Sequence, residues 1–181
     1  ALSDSKKFLQ RYPGFVVNVN LSYTQLEKSD FVHDVLSILD EVNYPPQNLC
    51  LEITERCRLL DMDLLKEIFT KLRSHGIKIA LDDFGTGYSS LSALQQLPVD
   101  ILKIDRSLIF DICFNPTSYN IIKAIVEMAN ALDLEVLAEG IETEEQSEIL
   151  RKLGCHIAQG YFYSKPLSAE DMEKMLSELS E

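Results

Sequence analysis

The sequence lacks the features that mark membrane and secreted proteins. No apolar run approaches the length of a membrane-spanning helix, and no signal-peptide pattern opens the chain. We therefore expect a cytoplasmic domain that makes no membrane contact itself, although it could belong to a membrane-anchored parent protein. The four cysteines lie far apart without a C-x-x-C pair, which argues against a zinc site or disulfide framework and predicts reduced, mostly buried thiols.

Positive charge is also scarce. Lys and Arg total 17 against 29 Asp and Glu, which gives a formal net charge of −12. This balance argues against binding of a DNA or RNA polymer, because such binding requires cationic side chains to neutralise phosphates. If a smaller phosphate ligand binds, metal ions must bridge the negative charge of the phosphate and that of the acidic protein. The length of 181 residues, with 46% hydrophobic and 25% charged residues, predicts one globular domain over 1–181.

Two adjacent carboxylates, Asp82 and Asp83, follow an apolar run at 77–81 and precede Gly85 and Gly87. The run has the β-branched composition of a strand buried on both faces, so the carboxylates lie at its C-terminal end. Parallel α/β folds place their chemistry at that end of their strands. Adjacent strand residues point to opposite faces, so only one carboxylate faces inward unless the turn redirects the other. An ordinary solvated turn is the alternative.

Segments with strand character alternate with amphipathic helical segments along the whole chain. The predicted strands are 15–20, 48–54, 77–81, 100–105, 135–138 and 156–158, and the predicted helices are 30–42, 61–74, 89–96, 117–132, 144–153 and 169–179. Within 1–13, the amphipathic piece SDSKKFLQRY resembles the end of a further helix. The absence of hairpin signals favours a parallel α/β fold. Both an open sheet and a barrel fit this alternation.

Polar residues at the strand ends favour a (β/α) barrel, because a barrel brings every strand end to one mouth. These residues are Asn20, Glu52, Asp82 with Asp83, Lys103 with Asp105, Glu139 and Gln159. A closed barrel of this kind has about eight strands, so about two strands are expected to be missing before Ala1. The predicted fold is therefore a modified TIM (β/α)8-type barrel of which about six strand–helix units are present.

The oxygen ligands expected at this mouth favour Mg²⁺ or Mn²⁺ over softer metals. The candidate metal ligands are Asn20, Glu52, Asp82, Asp83 and Glu139. Four carboxylates carry more charge than one divalent ion neutralises, so we infer two ions with Asp82 as the bridge. A two-metal clamp suits in-line displacement at phosphorus, in which Lys103 and Gln159 could hold the attacking water. The alternatives are a salt bridge for Lys103 and a backbone-satisfied strand end for Gln159.

Four further residues are candidates for supporting roles. Glu55 and Glu142 each follow a mouth glutamate by three residues, so we assign them to the catalytic set as groups that orient ligands or anchor loops. Asp105 and Arg106 could be a helix cap and a surface charge, or they could hold the ligand.

Six motifs in order make the sequence similar to the EAL-domain cyclic-di-GMP phosphodiesterases. They are VNLS at 19–22, LEITE at 51–55, DDFGTGYSSL at 82–91, LPVDILKIDRS at 97–107, AEGIET at 138–143 and QGYFYSKPL at 159–167. The resemblance implies a modified TIM barrel that linearises cyclic di-GMP to pGpG with Mg²⁺ or Mn²⁺. It also implies a homodimer, an upstream sensory or GGDEF-type domain in the parent protein, and Glu55 as the anchor of the loop after Asp83.

One departure from the family pattern bears on activity. The Glu-Ala-Leu tripeptide that names the family, whose glutamate is a metal ligand there, occurs nowhere in the chain. The chain is then either a fragment of a complete enzyme, with weak or no activity alone, or a degenerate module that binds cyclic di-GMP or a protein partner as a sensor. We favour the fragment, because the other functional positions match. A barrel enzyme that uses enolate chemistry is a third alternative, but it leaves the motif series unexplained.

Overall fold

The computed structural model describes residues 2–27, 30–54, 57, 60–86 and 91–179. These residues form a parallel β-sheet whose strands alternate with helices. The strands are β1 (Val17–Leu21), β2 (Leu49–Thr54), β3 (Lys78–Phe84), β4 (Ile101–Ile104), β5 (Glu135–Ala138) and β6 (Ile157–Ala158).

Five of the helices begin at a residue whose side chain caps the first turn. The helices are α1 (Leu2–Arg11), α2 (Tyr23–Leu26), α3 (Phe31–Val42), α4 (Met62–Ser74), α5 (Leu91–Gln96), α6 (Arg106–Ile109), α7 (Pro116–Ala131), α8 (Glu144–Lys152) and α9 (Ala169–Glu178). The Asp61 side chain, for example, accepts hydrogen bonds from two N–H groups in the first turn of α4, which satisfies donors that have no partner within the helix. The predicted helices are confirmed to within a few residues, except that the predicted start of the helix at 89–96 lies outside the described residues. The short helices α2 and α6 were not predicted.

The six strands are ordered β1-β2-β3-β4-β5-β6, and every neighbouring pair is parallel. A sheet whose spatial order equals its chain order is the wall of a (β/α) barrel, because each helix returns the chain to the next position. The prediction of six parallel strands is confirmed. Among the described residues, the wall is open between β1 and β6, and the two missing strands stay a prediction.

The two faces of the sheet have different compositions. The outer face packs under the helices and is apolar, with Leu51, Ile53, Ile79, Leu81, Leu102 and Ile104 buried in the main core. The inner face changes from one end to the other. At the N-terminal end Lys78 Nζ lies 2.9 Å from Glu135 Oε1. A small apolar layer of Cys50, Ala80, Ile101 and Leu137 follows, and charged residues lie at the C-terminal end.

The burial of the cysteines and the character of the helices bear on two of the predictions made from the sequence. Cys50, Cys57 and Cys155 are buried and Cys113 is partly buried, which agrees with the prediction that the thiols are mostly buried. Among the described residues, no helix has both the length and the apolar character required to cross a membrane.

Candidate active site

Lys103 lies at the centre of the charged end of the inner face. Its Nζ atom is 2.8 Å from Glu52 Oε1, 2.9 Å from Asp82 Oδ1 and 2.8 Å from Glu139 Oε1. These carboxylates come from β2, β3 and the end of β5, while Lys103 is on β4, so the curved wall brings four segments to one point. The Lys103 side chain is only 3% exposed and that of Glu52 is 8% exposed. A buried carboxylate requires a partner, and Lys103 is the partner of Glu52.

The electrostatics of this group follow from three anions that share one cation. Burial alone would lower the pKa of Lys103, but hydrogen bonds to Glu139, Glu52 and Asp82 outweigh it and raise the pKa. Burial raises the pKa of Glu139, and the nearby charges of Asp82 and Glu52 raise it further, against the opposing effect of Lys103. The two directions are compatible, because the lysine is stabilised by three carboxylates whereas each carboxylate gains one cation and faces two anions.

Asp83 joins the carboxylates because the end of β3 is irregular. Its φ angle is +57°, and the register between β3 and β4 shifts between Leu81 and Phe84. A left-handed conformation is uncommon for a residue other than glycine. It places carboxylate oxygens of Asp82, Asp83 and Glu139 within 4.8 Å of one another. The turn therefore redirects the Asp83 carboxylate toward that of Asp82. The strand alternation alone would have placed the two carboxylates on opposite faces of the sheet.

The remaining predicted metal ligands lie around this cluster. Glu52 reaches it through Lys103 and is register partner of Asn20 on β1. Asn20 is exposed at the open end of the wall. At the other end, Gln159 Nε2 donates a 2.7 Å hydrogen bond to Glu139 Oε1. Gln159 therefore contacts the predicted metal ligand Glu139 directly. Asn20 lies opposite the predicted ligand Glu52 in the register of β1 and β2.

A cavity of about 670 Å³ opens beside the carboxylates. Its walls include Arg106, Glu142, Gln159, Tyr161, Lys165 and Met172. Arg106 and Gln159 are therefore brought to the same cavity, and Gln159 connects that cavity to the carboxylates. Glu142 is exposed and faces the cavity rather than the cluster around Lys103. Glu55 lies outside the described residues.

Asp105 begins the short helix α6 that carries Arg106. Its side chain accepts a hydrogen bond from the Ser107 N–H at 2.9 Å. Burial opposes ionisation of Asp105, but the hydrogen bonds from Ser107 prevail and lower its pKa. The capping alternative is thus the one observed for Asp105, and a role toward a ligand stays a prediction. Gly140 packs against this helix with φ +69°, and a Cβ atom there would overlap Cβ of Arg106.

Gln146 is a structural residue of the site that the sequence interpretation did not identify. It is 6% exposed, and its Oε1 accepts hydrogen bonds from the N–H groups of Glu142 at 2.9 Å and Thr143 at 3.2 Å. Its Nε2 donates to the carbonyl oxygens of Ile109 and Phe110, both at 3.4 Å. Gln146 therefore ties the Glu142 loop to the end of α6. The T-x-x-Q capping pattern at 143–146 was the available signal.

Comparison with known proteins supports the interpretation of this geometry. The model of the EAL domain family matches residues 1–166. The chain is 40% identical over 156 residues to the bifunctional diguanylate cyclase/cyclic di-GMP phosphodiesterase MucR of Pseudomonas aeruginosa, covering 86% of this chain and 23% of MucR. More generally, the chain spans about a quarter or less of the length of the curated relatives that it matches.

Solved structures agree with the family match. The EAL domain of Mycobacterium smegmatis DcpA superposes with a TM-score of 0.92 and 38% identity, over 98% of this chain and 80% of that one. A manganese/cyclic di-GMP complex of Klebsiella pneumoniae BlrP1 superposes with a TM-score of 0.82 and 30% identity, over 91% of this chain and 42% of that one. The similarity to EAL-domain structures, whose fold is TIM-barrel-like, confirms the predicted fold class.

Proposed function

Because this chain belongs to the EAL domain family, we propose that it is the catalytic part of a metal-dependent phosphodiesterase that hydrolyses cyclic di-GMP to linear pGpG. The reaction adds water to one phosphorus and breaks one P–O bond of the cyclic dinucleotide. The observation that carries the proposal is the convergence of Asp82, Asp83 and Glu139 oxygens within 4.8 Å, beside a cavity that Arg106 lines. MucR and BlrP1, by their names, act on or bind the same dinucleotide.

The chemistry of the donors fits Mg²⁺ or Mn²⁺. Asp82, Asp83 and Glu139 offer only carboxylate oxygens, which hard divalent cations prefer. Glu52 and Asn20 would complete the ligand set in a two-metal site of the whole domain. Bound divalent ions would supply an activated water and neutralise charge on the phosphoryl oxygens. The presence of manganese in the BlrP1 complex supports this choice of ion.

The protein's own residues would bind and orient the dinucleotide. Arg106 lines the cavity next to the carboxylates, where its guanidinium would pair with a phosphate as a fork of N–H donors. Tyr161 lines the same cavity and is 62% exposed, so its ring is accessible for stacking with a guanine base. Gln159 contacts Glu139 and would orient the water, and Lys103 would offset part of the negative charge at the site through its contacts with the carboxylates. Glu142 and Glu55 would support the surrounding loops.

Hydrolysis assays test the proposal. The longer parent protein should convert cyclic di-GMP to pGpG in the presence of Mn²⁺ or Mg²⁺, and Asp82→Asn should nearly abolish the conversion. The 181-residue chain should be weakly active or inactive, because it contains no Glu-Ala-Leu sequence. Absence of turnover by the parent protein at every metal concentration would contradict the enzymatic proposal. Calorimetric binding of cyclic di-GMP without pGpG formation would instead support a sensor module.

The assembly of the parent protein is also a proposal. We propose that two further strands close the barrel next to β1, since β1 is an open edge of the described sheet. A homodimer is proposed from the resemblance to the family. The bifunctional name of MucR supports a GGDEF-type domain or another sensory domain upstream, and the nucleotide substrate supports a cytoplasmic location. Light scattering and sequencing of the parent gene test the homodimer and the additional domains.

A further inference from the structure

The contacts of Lys103 use its full hydrogen-bonding capacity. A lysine ammonium has three N–H donors, and Lys103 Nζ has three carboxylate neighbours at 2.8, 2.9 and 2.8 Å. The side chain is 3% exposed, so water has little access to it. Any new partner, such as a water or a phosphate oxygen, would have to replace one of the carboxylates.

Two of these carboxylates also belong to the candidate metal cluster. Asp82 and Glu139 contact Lys103, and both lie in the group of three carboxylates that could hold a metal ion. A divalent cation at this group would approach a fixed positive charge across shared carboxylates. Like charges a few ångströms apart in a buried site repel each other strongly. Lys103 and a bound metal ion would therefore share the same carboxylates, and each cation would weaken the binding of the other.

We propose that Lys103 is a built-in counter-cation of the carboxylate cluster, which keeps the carboxylates together without a metal and competes with divalent cations for them. This inference rests on the proposed metal site. It identifies Lys103 as a residue that sets the affinity of that site for divalent cations. Lys103 stabilises the fold by offsetting carboxylate repulsion. It also weakens metal binding. The carboxylates are already held close together when a metal ion binds, but Lys103 has neutralised part of their negative charge.

Lys103→Met tests the proposal, because methionine keeps much of the volume and removes the charge. In EDTA the variant should melt well below the wild-type protein. In a calorimetric titration it should bind Mn²⁺ about tenfold more tightly or better, since a nearby positive charge is gone. Tighter binding to the folded state also requires that saturating Mn²⁺ raise the Tm of the variant by more than that of wild type.

Lys78→Met is the matched control. Lys78 pairs with Glu135 at 2.9 Å on the same inner face, but at the opposite end and with a 39% exposed side chain. Its loss should leave Mn²⁺ affinity within about twofold of wild type, because an exposed and distant charge is screened. If this control tightened Mn²⁺ binding as much as Lys103→Met, the specific role of Lys103 would be wrong.

A charge-restoring double variant keeps the proposal testable if Lys103→Met does not fold. Adding Glu52→Gln removes one negative charge and so restores the net charge of the cluster. The double variant should melt above Lys103→Met in EDTA, and this melting temperature is its only readout, because Glu52 is itself a candidate metal ligand. Failure of the double variant to fold, or a Tm no higher than that of Lys103→Met, would show that Lys103 acts through packing and would overturn the proposal.

The outcomes also separate this inference from the proposed function. If wild type binds Mn²⁺ and Lys103→Met binds it equally or more weakly, the competition is wrong while the metal site stands. If neither protein binds Mn²⁺ at millimolar concentration, both the metal site and the inference fail. Recovery of the folded state of Lys103→Met on addition of Mn²⁺, after loss in EDTA, would be the strongest supporting result.

Discussion

Replacement of Gln146 should reveal how the cavity is held together. Its side chain is 6% exposed and bonds four backbone groups, two in the loop of Glu142 and Thr143 and two at Ile109 and Phe110. Gln146→Leu keeps a similar volume but removes every one of these bonds. The N–H groups and carbonyls then lose partners in a region with little access to water.

The expected cost is large for a single polar side chain. The two shorter bonds, at 2.9 and 3.2 Å, are worth about 0.5–1.5 kcal/mol each, and a buried group left without a partner costs about 1–3 kcal/mol. The two contacts at 3.4 Å add less. We expect Gln146→Leu to lower the free energy of unfolding by about 2–4 kcal/mol. Thr143→Ala, which removes one capping bond of 3.3 Å to the Gln146 N–H, should cost about 1 kcal/mol.

Urea denaturation followed by circular dichroism measures these differences from the midpoint and the slope. Gln10→Leu is a suitable control, because Gln10 is exposed on α1 and its substitution should change stability by less than about 0.5 kcal/mol. A loss of less than about 0.5 kcal/mol for Gln146→Leu would refute the reasoning. It would show that the Glu142 loop and α6 are held by contacts other than the buried amide.

Three further predictions concern reactivity, packing and binding. Burial raises the pKa of Cys155 to about 11 from 9.0, so the neutral thiol is favoured in the fold and stability should fall as pH rises from about 9 to 11. At pH 8, partly buried Cys113 should react first with a disulfide reagent, and fast labelling of Cys155 would contradict its burial. Gly160→Ala should lower the free energy of unfolding by about 2–3 kcal/mol in urea, since a Cβ atom would overlap the backbone of Ile141; an unchanged midpoint would refute this. Arg106→Ala should weaken cyclic di-GMP binding by about tenfold or more in calorimetry, because it removes a charged donor, and equal weakening of Mn²⁺ binding would contradict its assignment to the cavity.

The fold was largely predictable because its signals are local. Apolar strands, amphipathic helices and capping residues recur in order, and the absence of hairpin signals fixed the parallel direction. The short helix α6 was not predicted, because four residues cannot display a helical period. Its cap at Asp105 was recognised only as one of two alternatives.

The sequence identified most of the residues of the site, but it did not predict their contacts or backbone geometry. The inward positions of Glu52 and Lys103 follow from strand alternation. The sequence offered a single salt bridge as the alternative role of Lys103, whereas the structure gives it three carboxylate contacts. They arise because β4 lies between β3 and β5 in the sheet, and β2 lies on the other side of β3. The positive φ of Asp83 could not be foreseen, since aspartate adopts it only where surrounding contacts favour it.

The most direct test of the metal site is a calorimetric titration of Mn²⁺ into the wild-type protein and Asp82→Asn. Asp82 contacts Lys103 at 2.9 Å and shares the carboxylate cluster with Asp83 and Glu139. We predict saturable binding by wild type and affinity at least about tenfold weaker for the variant, since one anionic ligand becomes neutral. Equal Mn²⁺ affinity for the two proteins would contradict the assignment of the metal site to these carboxylates.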